Sequence, residues 1–165
     1  MTGYFDNLSE SVVNALVIAQ SETKDFGVKE IGNLTLFLGI LAEAKSRAAA
    51  ELNALGVNYD TVKPVATKFF RYAEQPGALG QLKQALRDLQ IRIMGIPLSQ
   101  GAQRTFEFAQ KQAQVRGSQI LPEDLLLIML RQKDPELTIL MGKLKVNMNW
   151  LQNKVLQLLE TETQS

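Results

Sequence analysis

Apolar positions recur at helical spacing along most of the chain, and the breaks between them are glycines and capping residues. Ser9 suits an N-cap, after which Val12, Val13, Leu16 and Ala19 share one helical face, and Gly27 supplies a stop. Asn33 is expected to cap a second helix, Leu34 to about Ala42, which is apolar nearly all round and therefore central to the core. A third helix runs from about Ala48 to Leu55, where Ala48, Ala49 and Ala50 permit close approach, and it ends at Gly56. A fourth covers about Asp60 to Ala73. Pro64 is tolerated only in a first turn, which leaves a later start open as an alternative. Strand-like alternation with hairpin turns is absent from the sequence, and the expected fold class is all-α.

The pattern then repeats. "GVKEIGNLTLFLGIL", starting at Gly27, has nearly the shape of "GSQILPEDLLLIML", starting at Gly117. A shift of ninety positions places Leu8-Ser9 on Leu98-Ser99, Ala19-Gln20 on Ala109-Gln110, Gly27 on Gly117 and Leu36 on Leu126. Pro122 then falls on Gly32. A one-residue deletion, placed after Leu126, aligns "LGVN" (Leu55 to Asn58) with "LKVN" (Leu144 to Asn147). Any two amphipathic helices align, but four segments in order with matched breaks indicate a duplicated helical unit. The chain is therefore read as a single domain over residues 1–165: a first repeat at about 4–73, a linker at about 74–95 and a second repeat at about 96–160. Within the linker, Leu82, Leu86, Leu89 and Ile93 recur at helical spacing opposite Lys83, Arg87 and Arg92, bounded by Gly80 and Gly95. This predicts an extra amphipathic helix that either covers the inter-repeat groove or offers Leu86 and its neighbours to a partner.

Composition mostly excludes. The 165 residues include 18 basic and 17 acidic side chains, giving no electrostatic case for nucleic acid or an anionic membrane. The chain has no His and no Cys. Thiol nucleophiles, Ser-His-Asp relays and nearly every zinc site are thereby ruled out, and no acidic alternation of EF-hand type is present. Carboxylate pairs such as Glu43 with Glu51 carry no pocket signature, so no enzyme activity and no cofactor are expected. The N-terminal stretch reads as lacking a secretion signal and no apolar run nears bilayer length, so a cytoplasmic location is expected.

The spacing Ala19-Gln20, Gly27, Ile31-Gly32, Leu36, Leu38-Gly39, Leu41, Ala48-Ala49, Leu52 and Leu55 to Asn58 resembles the N-terminal domain of Clp-type chaperones. "IPLSQGAQRTFEFA" (Ile96 to Ala109) resembles the stretch that opens that family's second repeat. The resemblance implies two pseudo-symmetric four-helix repeats and a docking role for substrates and adaptors of an ATP-driven unfoldase. The motor's phosphate loop is missing here: Gly142-Lys143 is followed by Leu144 and lacks the upstream glycine. The chain thus looks like an accessory protein of the ClpT type, whose partners would be the Clp protease core or a Clp chaperone. The alternative is a docking domain excised from, or diverged within, a ClpC/ClpB-type chaperone. "TKFFRYAEQPG" is similar to an aromatic motif of the ClpT group, which makes Phe69, Phe70 and Tyr72 either inter-repeat packing or a docking patch.

In the ClpC branch a glutamate at the start of the second helix helps bind phosphorylated arginine. The ninety-residue register matches that position to Leu34 in the first copy and Asp124 in the second, beside Glu123. Leucine accepts no hydrogen bond. Glu123 and Asp124 are either a shortened remnant of that site or ordinary first-turn acids complementing the helix dipole.

Overall fold

The computed structural model describes residues 7–71 and 97–164. Among them are α1 (Glu10–Asp25), α2 (Asn33–Glu43), α3 (Arg47–Ala54), α4 (Tyr59–Arg71), α5 (Gln100–Arg116), α6 (Pro122–Arg131), α7 (Pro135–Lys143) and α8 (Met148–Gln164). The described residues contain helices and no strands, in agreement with the all-α reading, and α1–α4 are matched in order by α5–α8. No described helix is long and apolar enough to cross a membrane. The expected linker helix, with Leu86, and the side chain of Tyr72 lie outside the described residues.

Each repeat opens with the same device. Ser9 and Ser99 cap α1 and α5 by accepting the amides of Val12 and Ala102 at 3.3 and 3.1 Å. The residues just before these caps pair with the other repeat. Ser9 N–H donates to the Ile120 carbonyl (3.0 Å) and Ile120 N–H to that of Asn7 (2.8 Å). In mirror fashion, Ser99 N–H donates to the Ile31 carbonyl and Ile31 N–H to that of Pro97, both at 2.9 Å. Two short parallel bridges, Leu8 with Ile120 and Leu98 with Ile31, thus tie the halves together around a pseudo-two-fold relation.

These bridges also correct the register. Ile120, not Leu121, stands where Ile31 stands, while Gly27 and Gly117 still match at φ 69° and 72°. The deleted residue therefore lies in the turn after Gly117, well before the position read from the sequence. From there on the offset is eighty-nine, so Ala44 (φ 62°) matches Lys133 (φ 52°) and Gly56 (φ 80°) matches Lys145 (φ 58°). Pro122 corresponds to Asn33, Glu123 to Leu34, and Asp124 to Thr35.

Helices α2 and α6 form the centre, and every residue from Asn33 to Leu41 and from Pro122 to Leu130 is buried. Asn33 is not the cap: Gly32 holds that position, and the Asn33 carboxamide oxygen accepts from the Thr105 hydroxyl of α5 at 2.8 Å. Nor does Pro64 delay α4. Asn58 and Thr61 exchange hydrogen bonds, amide to side-chain oxygen, at 3.0 and 3.1 Å, which starts the helix at Tyr59. The Pro64 ring then lies on the exposed face.

The repeats differ at Gly39. A Cβ there would lie 2.2 Å from the Ala15 carbonyl oxygen, so α1 and α2 touch backbone to backbone. Its counterpart Ile128 is a full side chain, which excludes the same approach between α5 and α6.

Candidate functional site

The start of α6 places Glu123 and Asp124 in the first turn, where the free amides of a helix N-terminus favour carboxylates. Both are buried, Asp124 completely. Its two oxygens accept from the Arg116 guanidinium, Oδ1 from Nη1 and Oδ2 from Nη2, each at 2.7 Å. Oδ2 also accepts the Leu121 amide at 2.8 Å. A planar fork on a carboxylate is the strongest form of such a pair. Asp124 is thus a cap locked by the chain's own arginine, which reaches it from the end of α5. The corresponding position in the first repeat does the same work without charge: the Thr35 hydroxyl accepts the Gly32 amide at 3.1 Å.

Glu123 points the other way. Its Oε1 accepts the Ala48 amide at 3.0 Å, so a carboxylate from the second repeat caps α3 of the first. Ser46 satisfies the neighbouring amide of Ala49, and Arg47 of the same turn donates to the Leu158 carbonyl of α8 at 2.5 Å. Glu123→Ala should strip this inter-repeat cap and lower the unfolding free energy by about 1.5–3 kcal/mol, the usual worth of a hydrogen bond to a charged group. Denaturant titration checks the value.

Leu34 is buried in the core and offers no polar atom. Phe70 stacks on Phe26 with ring centroids 4.3 Å apart, and the Lys143 ammonium of α7 sits 5.1 Å from the Phe69 ring centre. Both aromatics thus make packing contacts, Phe70 within the first repeat and Phe69 toward the second, and both stay half-buried.

Sequence reasoning missed a polar cluster beside that stack. Glu22, buried on α1, accepts from the Tyr59 hydroxyl at 2.5 Å and pairs with Lys63, whose ammonium also lies 4.4 Å from the Phe26 ring centre. Burial, then the Glu22 hydrogen bond and charge, raise the Tyr59 hydroxyl above its ordinary 10.0. For Lys63, burial pulls downward, but the hydrogen bonds and charges of Glu22 and Tyr59 together raise it above 10.5. The folded state holds both protons more tightly than the unfolded chain. Their contribution is therefore complete below about pH 10 and lost as pH rises through the raised values. Tyr59→Phe should flatten the loss of stability expected for the unmodified protein as pH rises above about 10, measured by denaturant titration.

Reading also missed the second repeat's counterpart of this region. Gln112 stands for Glu22, Arg116 for Phe26 and Leu159 for Phe70. There the surface opens into a groove of about 570 Å³ between α5, α6 and α8. Gln112 carries a buried side-chain oxygen with no hydrogen-bond partner. The signal was present in the sequence as a loss of aromatic residues between repeats, since Phe26 falls on Arg116 and Phe70 on Leu159 in the register read there.

Comparison with known proteins agrees with this architecture. Residues 7–119 match the family described as the Clp repeat (R) N-terminal domain. The chain is 28% identical over 159 residues to the chloroplastic chaperone protein ClpD1 of Oryza sativa subsp. japonica, covering 96% of this chain and 16% of the relative. It is 24% identical over 156 residues to chaperone protein ClpB of Oceanobacillus iheyensis, covering 94% of this chain and 17% of that protein. It thus spans about a sixth of the length of these relatives. The crystal structure of the N-terminal domain of the Clp-associated chaperone ClpD from Arabidopsis thaliana shares the fold, with TM-score 0.72, 21% identity, and coverage of 96% of this chain and 98% of that one. With more than half of its residues matched and the paired four-helix sets in place, the chain belongs to the Clp repeat N-terminal domain family.

Proposed function

We propose that the protein is a non-enzymatic docking module of a Clp system, acting as an accessory that binds the Clp protease core, a Clp chaperone or their substrates and adaptors. The observation that carries this reading is the match of residues 7–119 to the Clp repeat domain. The geometry supports it: the carboxylates and the hydroxyl at the two helix starts are consumed in capping and in contacts between helices, while apolar side chains such as Phe108, Val115 and Trp150 stay exposed. The alternative role, as the docking domain of a ClpC/ClpB-type unfoldase, is favoured by the fold shared with the ClpD N-terminal domain over nearly its whole length. Affinity capture from native cell extract, read by mass spectrometry, tests the docking reading. Clp protease or chaperone subunits are the expected captures, and a catch without any Clp component contradicts it.

Recognition of phosphorylated arginine is not part of the proposed role. In the corrected register the glutamate position falls on Leu34, which is buried, and on Glu123, whose carboxylate already caps α3 at the Ala48 amide, while the neighbouring Asp124 already holds a guanidinium. Loss of a charge-assisted contact is worth about 1.5–3 kcal/mol, a weakening of roughly tenfold to a hundredfold. Titration calorimetry with phosphoarginine should show weak binding or none, and tight binding by the unmodified chain would contradict this. Leu34→Glu places a carboxylate in the core, so it should destabilise the fold without restoring a site.

A further inference from the structure

The groove of the second repeat has a filled counterpart, and the filling shows what it accepts. In the first repeat the space between the first, second and fourth helices holds the Phe26–Phe70 stack, with the Glu22 carboxylate engaged by Lys63 beside it. Gly39 draws the helices together underneath. In the second repeat Ile128 keeps α5 and α6 further apart, and Arg116, the counterpart of Phe26, is drawn to Asp124. Leu159, the counterpart of Phe70, has no facing aromatic ring at position 116. The result is an open trough walled by Phe108, Val115, Ile128, Leu156 and Leu159, with Gln112 among its lining residues. Val115 is 92% and Phe108 47% exposed, a large apolar surface to leave in water.

Charge selects the occupant. Lys111 and Arg131 line the same groove against one carboxylate, Glu160, while Arg116 is neutralised by Asp124. The surplus of charge is positive. We infer that this groove receives a segment of a partner protein carrying an aromatic side chain next to a carboxylate. The ring takes the place that Phe26 fills in the first repeat, and the carboxylate meets Lys111 or Arg131. This inference rests on the docking reading and names the partner chemistry of one surface.

The test uses the full chain and a fluorescein-labelled heptapeptide, Ser-Gly-Leu-Phe-Glu-Ser-Gly, followed by fluorescence polarisation. Saturable binding is expected. It should weaken at least about tenfold when Ser replaces Phe or Lys replaces Glu in the peptide, and equally for Phe108→Ser or the Lys111→Glu, Arg131→Glu pair in the protein. These side chains lie at the surface, so circular dichroism should show the variants folded. Val17→Ser, on the exposed face of α1, should bind as the unmodified chain does. No saturation up to millimolar peptide, or groove variants that bind normally, overturns the inference. If the peptide fails while the extract still yields Clp subunits, the groove assignment falls and the docking reading stands.

Discussion

Arg116→Ala should lower the unfolding free energy by about 3–5 kcal/mol, the cost of removing one partner from a buried ion pair. The Asp124 carboxylate is fully buried and takes both guanidinium nitrogens at 2.7 Å. Without Arg116 it keeps the Leu121 amide but carries a charge with no cation facing it. For a chain of this size that loss lowers Tm by roughly 10 °C. Asp124→Asn should cost less, because the amide oxygen preserves the cap at Leu121. Replacing both partners by apolar residues, Arg116→Met with Asp124→Leu, should recover part of the loss, since no buried charge then remains. Thermal and denaturant unfolding of the three variants measures the order. A single Arg116→Ala variant as stable as the unmodified protein would show that the pair is spectator to folding.

The second large effect is expected at Gly39→Ala. Helix propensity alone favours alanine over glycine by about 1 kcal/mol in a helix interior. The site reverses the sign. The added methyl would stand 2.2 Å from the Ala15 carbonyl oxygen, 3.1 Å from its carbon and 3.2 Å from the Ala19 nitrogen. All three are backbone atoms of α1, which cannot rotate aside as a side chain does. The helices must separate, and the contacts of Ala15 and Ala19 with α2 loosen together. A net destabilisation of about 3 kcal/mol or more is expected, at the upper end of overpacking effects. In the second repeat the sign of the change is opposite in cause: Ile128→Ala leaves a void and costs about 2–4 kcal/mol. Denaturant unfolding of both variants checks the pair of values.

Much of the fold was legible from the sequence because its punctuation is chemical. Ser9, Gly27, Gly56 and Gly117 announce caps and left-handed turns by residue type, and each stands at the break it predicted. Register was not legible. Leu36 to Leu41 and Leu125 to Leu130 are apolar on every face, so sliding one against the other by a residue moves no polar group into the core. The two residues that would have fixed it, Ala44 and Lys133, hold positive φ without being glycine, which sequence does not advertise. The candidate site suffered from the same slip. Asp124 was paired with Leu34 when its structural partner is Thr35, and both serve as caps. The Arg116–Asp124 pair spans a turn, eight positions apart, and so escaped any helical spacing rule. The groove escaped for a related reason: it is defined by what is missing opposite Phe26 and Gly39.

Amide hydrogen exchange of the full chain, alone and in complex with a captured Clp protease core or Clp chaperone, tests the central claim most directly. If the helix starts are scaffold and the second repeat's groove is the docking surface, added protection should fall on α5 from Phe108 to Arg116, the end of α6 and α8 from Leu156 to Glu160. The amides of Gly32 to Leu36 and Leu121 to Leu125 should change little. Protection concentrated at those two helix starts, with the groove unaffected, would contradict the account.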